Sequence, residues 1–209
     1  MLAPNLHLVT DAGAASLAAH VAAGGHLVMG FHSGVVDAAA RVRAGGWPAL
    51  FRKILGICVE EFHPLAEDEK LWCVSDVLGP FEATFWAERV RAEGAEAVAV
   101  VEAGDLAGVP VVTRRETAWY VATRPEPAAM ASLLRLVCGE AGVAGIGAPP
   151  GVEAVRRGDV LFLLNHSERD VDVTLDGPHI DLLSGVARDG SAPLGRFGAA
   201  ALRPSRRLS

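Results

Sequence analysis

Apolar and polar positions follow two different rhythms along this chain, and the change falls near residue 150. Before it, stretches with helical spacing take turns with short, nearly unbroken apolar runs. In residues 12–23, Leu17 and Val21 stand four apart on one helical face, behind the N-cap candidates Thr10 and Asp11 and ahead of a Gly24-Gly25 stop. His26-Leu27-Val28-Met29-Gly30-Phe31 then reads as a strand covered on both faces, as in a parallel sheet. A helix, a glycine stop and a buried strand form the second half of a βαβ crossover, with only a stub of strand ahead of it.

The pattern continues through a loop from Ser33 to Gly46. Trp47-Pro48 opens a second helix, with Pro48 at its first position, an apolar face of Leu50, Phe51, Ile54 and Leu55, and Gly56 as its close. Residues 57–62 read as a strand, 71–74 and 82–86 as edge strands, and 95–102 as a further strand. Two β-rich runs, 109–113 and 117–123, are joined by a tight charged connection at Arg114-Arg115-Glu116. Glu126-Pro127 opens a helix to Ala141 with Met130, Leu133, Leu134 and Val137 along one side, and Gly142 stops it.

Residues 143–151 (VAGIGAPPG) carry no charge and are rich in Gly and Pro, which marks a domain boundary. After it the helical period disappears. Residues 152–156, 160–164, 171–175, 179–183 and 193–202 read as short strands or strand fragments, the first two joined by a hairpin at Arg157-Gly158-Asp159. The expected organisation is an α/β domain over 1–145 and a small antiparallel β-domain over 152–203, with the tail from Arg203 fraying.

Composition narrows the function classes. The 209 residues are 51% hydrophobic and 21% charged, which excludes global disorder and coiled-coil or collagen-like chains. The net charge is −6, and the densest basic group is Arg203, Arg206 and Arg207, so no nucleic-acid partner is expected. No apolar run reaches the roughly 18 residues of a membrane span, and residues 1–11 hold no positive leader. Three widely spaced cysteines, Cys58, Cys73 and Cys138, fit a reducing cytoplasmic setting and supply no metal pattern.

Candidate chemistry is sparse. Glycosidic cleavage uses two carboxylates about 5–10 Å apart. Glu60-Glu61 is the adjacent acid pair in an apolar setting, but neighbours on a strand point to opposite faces, so the pair reads as structural or solvated. A cysteine nucleophile needs a lowered pKa beside a base; Cys58 in a strand and Cys138 near a helix stripe read as buried and inert, and Cys73 has no evident partner. His32-Ser33-Gly34 follows the predicted parallel strand, where α/β folds place ligands, yet it lacks a nucleophile elbow, so Ser33, Gly34 and Asp37 read as loop-shaping. His7, His20, His26, His63, His166 and His179 show no metal spacing. Trp47, Trp72, Trp86 and Trp119 read mainly as core, with sugar platforms or interface anchors as the other possibility.

An ordered set of segments resembles glycoside hydrolase family 42 β-galactosidases. It runs through Leu8-Val9-Thr10-Asp11, Phe31-His32-Ser33-Gly34-Val35-Val36-Asp37, Gly45-Gly46-Trp47-Pro48, Leu55-Gly56-Ile57-Cys58-Val59-Glu60-Glu61-Phe62 and Ala118-Trp119-Tyr120-Val121-Ala122-Thr123-Arg124. Pro150-Gly151-Val152-Glu153, Leu161-Phe162-Leu163-Leu164-Asn165-His166 and Asp181-Leu182-Leu183-Ser184-Gly185 are similar to the family's last domain. The resemblance implies a parent with a catalytic (β/α)₈ barrel that holds the two glutamates, a flavodoxin-like, class I glutamine amidotransferase-like trimerisation domain, and a C-terminal β-domain. This chain matches the second half of the middle domain and the last domain. Region 67–85 and the short turn between Arg114 and Trp119 depart from the pattern.

The expectation is therefore a partial flavodoxin-like domain followed by a small antiparallel β-domain. It would be a non-catalytic segment of a β-galactosidase, without catalytic, metal or cofactor residues of its own. It would assemble as a homo-oligomer, a trimer in the family, with a catalytic barrel as partner if that is encoded separately. The alternatives are a stand-alone oligomerisation or interaction module, or a Cys58-dependent amidotransferase-like hydrolase.

Overall fold

The structure is a computed structural model that describes residues 1–205. It holds two compact units, Met1–Val143 and a second that begins at Ala144.

The first unit opens with β1 (Leu2–Ala3), α1 (Asp11–Ala22) and β2 (Leu27–Gly30). Thr10 caps α1, its hydroxyl accepting the Gly13 N–H at 3.0 Å. β1 is the expected stub, parallel to β2. Gly30 is required there: a Cβ would lie 1.9 Å from the Pro4 carbonyl oxygen. A 3₁₀ turn (Ala49–Phe51) and α2 (Arg52–Leu55) come next, then β3 (Ile57–Pro64), β4 (Lys70–Val74), β5 (Phe81–Ala92) and β6 (Glu96–Val101). The unit continues with β7 (Pro110–Arg115), β8 (Ala118–Val121), β9 (Thr123–Pro125) and α3 (Pro127–Glu140).

Among the described residues these strands form one sheet in the order β1-β2-β8-β7-β6-β4-β5-β3, with β9 paired to β5. Only β1, β2 and β8 run parallel; the other pairings are antiparallel. Because β9 follows β8 after one residue and reaches β5, the sheet curls back on itself. Period-two alternation divides its side chains between two cores. Val28, Trp119 and Val121 join Leu133 and Val137 of α3, whereas Leu27, Met29 and Tyr120 join Leu17 of α1 and Leu55 of α2. β2 and β8 are thus helix-covered on both faces, as their uninterrupted apolar sequence demands.

The second unit comprises β10 (Val152–Arg157), β11 (Val160–Asn165), β12 (Val171–Thr174), β13 (His179–Asp181), β14 (Ala187–Arg188), β15 (Ser191–Leu194) and β16 (Ala199–Pro204). Its sheets have the orders β10-β11-β16-β13-β14 and β12-β15, all antiparallel. Leu161, Leu163, Val173, Leu194 and Leu202 close the small core between them.

Several expectations are corrected. β4 and β5 are interior strands, not edges: β5 runs to Ala92 and pairs with β3, β4 and β9. Its alternating charges, Glu88, Arg89 and Arg91, disguise its length. The helix read from Trp47 starts instead as a 3₁₀ turn after Pro48, and the Trp47-Pro48 peptide is cis. Residues 193–202 are not one strand, because a turn at Gly195–Gly198 sends β15 and β16 into different sheets. Arg203 and Pro204 do not fray: they pair with Ile180 and His179. Arg206 and Arg207 lie outside the described residues.

Candidate functional site

The position after β2 was the one place where sequence pattern and fold rules pointed to a ligand site. The residues there build a polar hub under an aromatic cap. Ser33 is buried; its hydroxyl donates to the Gly30 carbonyl at 2.7 Å and accepts the Leu6 N–H at 2.9 Å. The first bond ties the loop to the end of β2 and the second ties it to the segment after β1. Gly34 sits at φ +67°, and a Cβ there would lie 2.8 Å from the Pro48 carbonyl oxygen. Asp37 accepts the N–H groups of Ala39 and Arg41 and pairs with the Arg41 guanidinium at 2.9 Å. The Arg41 N–H, more than any other group, holds its carboxyl below the ordinary range. Ser33, Gly34 and Asp37 therefore shape the loop.

His32 does something the sequence did not reveal. At φ +57° its backbone N–H turns inward and donates to Glu88 Oε1 at 2.7 Å. Glu88 is fully buried on β5. Its Oε2 accepts the Tyr120 hydroxyl at 2.6 Å, and its Oε1 also takes the Trp86 indole N–H at 3.4 Å. These three partners are all donors, which suits a carboxylate. Burial pushes the carboxyl above its ordinary range, and the bonds from Tyr120, His32 and Trp86 pull the other way. Glu88 thus pins the loop after β2 to β5 and β8. One signal was legible: Trp86, Glu88 and Val90 share one parity of a strand, so the glutamate occupies an inward position.

Rings close over this hub. The His32 ring lies 5.1 Å from those of both Trp86 and Phe62, and 4.6 Å from His7. Trp47 stacks on Phe62 at 4.4 Å. Burial, and secondarily the neighbouring His7, holds the His32 imidazole below its ordinary pKa. Phe85, at φ +73° beside the irregularity between Thr84 and Ala87, is 53% exposed and carries the Arg124 guanidinium 4.9 Å above its ring. Trp119 is buried in the core, while Trp72 is 47% exposed.

The other candidates lie apart from this hub. Glu60 and Glu61 are exposed on β3, where Glu60 pairs with Arg91 and Glu61 with Arg89 at 3.1 Å. Cys58 is buried, and its thiol donates to the Val59 carbonyl at 3.8 Å. Burial pushes the Cys73 thiol up to about 12. Cys138 is exposed, contrary to expectation: it follows Val137 and so sits about 100° around α3 from the inward stripe. Among the described residues, no three His, Cys, Asp or Glu side chains gather as a metal site. The other buried acid, Asp181, is in the second unit. Burial raises its pKa, but bonds from the Ser184 hydroxyl and the Leu183 and Ala201 N–H groups outweigh that and hold it low.

Comparison with known proteins places this geometry. The family model described as the β-galactosidase trimerisation domain matches residues 1–144, and the β-galactosidase C-terminal domain model matches 151–204. A β-galactosidase of an Arthrobacter species is 37% identical over 93% of this chain and 29% of its own length. β-Galactosidase LacZ of Heyndrickxia coagulans is 37% identical over 88% of this chain and 29% of its own. The crystal structure of β-galactosidase from Bacillus circulans sp. alkalophilus superposes with a TM-score of 0.88 at 29% identity, covering 98% of this chain and 32% of that one. The Rahnella sp. R3 enzyme gives 0.85 at 28% identity, over 97% of this chain and 32% of that one. The chain thus spans about 30% of the length of these relatives. With two consecutive domain models covering nearly all of it, the chain belongs to the glycoside hydrolase family 42 β-galactosidases, as their trimerisation and C-terminal region.

Proposed function

We propose that this chain is a non-catalytic assembly segment of a β-galactosidase: it supports oligomer formation, and the parent enzyme hydrolyses terminal β-D-galactosides elsewhere. The observation that carries the reading is the pair of domain matches, 1–144 for trimerisation and 151–204 for the C-terminal domain. The acids agree with it. Retaining and inverting glycosidases need two carboxyl groups about 5–10 Å apart across a cleft open to sugar. Among the described residues Glu88 is sealed in its unit, Asp181 is bound by its own loop, and Glu60 and Glu61 are held in ion pairs on an exposed strand.

On this reading the assembly domain is 1–145 and the β-domain 152–203, divisions supported by the two compact units and the two models. A partial flavodoxin-like assignment of the first domain draws support from β1–α1–β2 with β8 parallel beside it and helices on both faces. A cytoplasmic setting draws support from three cysteines that are all free. No helix among the described residues is long and apolar enough to cross a membrane.

The purified chain is expected to release no o-nitrophenol from o-nitrophenyl β-D-galactoside above the buffer rate. Turnover that tracks the protein through purification overturns the non-catalytic reading. Light scattering is expected to give three times the chain mass, and a stable monomer at micromolar concentration overturns the assembly reading.

A further inference from the structure

Three of the four tryptophans have partners that account for them. Trp47 stacks on Phe62, Trp86 stacks on Phe31, and Trp119 is buried beneath the Arg114 guanidinium. Trp72 is exposed, and among the described residues no other ring or guanidinium stacks on it. It lies on β4 opposite Glu82 of β5, while its neighbours Leu71 and Cys73 turn the other way, into the core with Phe81 and Ala83. Paired residues of an antiparallel ladder share a face. The register therefore sets Lys70, Trp72, Glu82, Thr84 and Arg124 of β9 side by side on the outer surface. β4 and β5 are interior strands, so no unpaired edge creates this surface.

Its polar groups are held in place. Lys70 Nζ donates to Glu82 Oε2 at 2.7 Å. Arg124 donates to the Thr84 hydroxyl at 3.0 Å, and its guanidinium lies 4.9 Å over the Phe85 ring. Phe85 stands at φ +73°, a left-handed backbone that a bulky residue enters only under strain, where the pairing with β9 is irregular. That conformation leaves the phenylalanine in solvent instead of packing it. Strain that exposes an aromatic ring gains the fold nothing and points to a use. Strand spacing sets Trp72 and Arg124 roughly 12 Å apart, with Glu82 and Thr84 between them.

We propose that this surface is a non-catalytic binding site for galactosyl oligosaccharides, with Trp72 as the stacking platform and Lys70, Glu82, Thr84 and Arg124 as partners for the sugar hydroxyls. A β-galactopyranosyl ring has one face of C–H bonds, at C3, C4 and C5, and a rim of hydroxyls. The C–H face suits the negative face of an indole. Each hydroxyl both donates and accepts, which calls for a carboxylate beside ammonium and guanidinium donors. Charges of both signs suit a neutral ligand better than an anionic one. Lys70, Trp72, Glu82, Thr84 and Phe85 all fall within 67–85, the segment that departs from the family pattern, so the surface is a feature of this chain. The choice of galactose rests on the reading of the parent as a β-galactosidase. The site would hold a chain of sugars near an enzyme that cleaves it.

Isothermal titration of the full chain with β-1,4-linked galactotetraose is expected to show saturable binding in the sub-millimolar range. Trp72→Ala should weaken it at least tenfold at an unchanged urea midpoint, and Trp72→Phe should hold it within threefold of the parent. Glu82→Gln should weaken it at least threefold. Cellotetraose, whose C4 oxygens are equatorial, should bind at least fivefold more weakly, and equal binding overturns the commitment to galactose. Absence of saturable binding overturns the proposal, as does binding that Trp72→Ala leaves intact. A fall in light-scattering mass on Trp72→Ala makes the residue a protomer contact and also overturns it. Failed titration with the expected mass intact removes this site alone and leaves the assembly reading standing.

Discussion

The β3 side and the β1 side of the large sheet differ in pairing and in surface: β3 pairs antiparallel and carries charge, whereas β1 pairs parallel and is apolar. At β3, ion pairs Glu60–Arg91 and Glu61–Arg89 line an irregular strand, and the buried hub at Glu88, opposite Phe62 in register, fixes the neighbouring β5. At β1, two apolar residues pair with β2 beside two open clefts. Charge, a register break and a covering loop are what blunt the β3 edge.

The comparison breaks first at Glu88. Glu88→Ala leaves the Tyr120 hydroxyl and the His32 N–H buried without an acceptor, a cost of about 3 kcal/mol, read as a lower urea midpoint. It should also release His32 from its left-handed conformation and loosen the aromatic cap, seen as altered tryptophan fluorescence from Trp47 and Trp86.

On the other side, Gly30→Ala forces a methyl group against the Pro4 carbonyl and separates β1 from β2. The expected cost is about 2 kcal/mol, with faster amide exchange at Val28. An unchanged urea midpoint would mean that β1 contributes nothing to the fold.

A pH series sharpens the Glu88 assignment. Its carboxyl lies above the ordinary 4.5 because burial outweighs its hydrogen bonds. A group raised in the folded chain lends stability while protonated, fully below the unfolded value, and loses it as pH rises through the folded value. Unfolding free energy is therefore expected to carry a component that falls as pH climbs from about 4.5, and Glu88→Gln should remove that component in parallel urea titrations.

The smallest thermodynamic effect belongs to the exposed edge pair. Glu61→Ala should cost under about 1 kcal/mol, since solvent screens its bond to Arg89. The double substitution Glu60→Val, Glu61→Val tests the comparison itself. It makes the β3 edge apolar, and light scattering should then show species larger than the parent assembly.

Much of the architecture was legible locally. The stub, helix and buried strand at the start, the helix 127–140 with its Leu133 and Val137 stripe, and the hairpin at Gly158-Asp159 all follow from spacing and cap residues. What failed to show were features that depend on distant partners. β5 looked short because its charged residues face partners on other strands, and Cys138 looked buried because a helix stripe has a width that sequence alone does not set. Ser33 and Gly34 could be read as loop formers from position. Glu88 could not be read as the hub, because the residues that satisfy it, His32 and Tyr120, lie 56 and 32 positions away.

The amino-acid order by itself determined the alternation of elements and the shift to a β-only second unit, because each rests on periodicity and turn chemistry within a few residues; the family came from the resemblance of segments ordered along the whole chain. Tertiary structure alone decided which strands lie inside the sheet and which acids are buried. Those properties arise from pairing and desolvation between residues far apart in the chain, where local pattern carries no energy term.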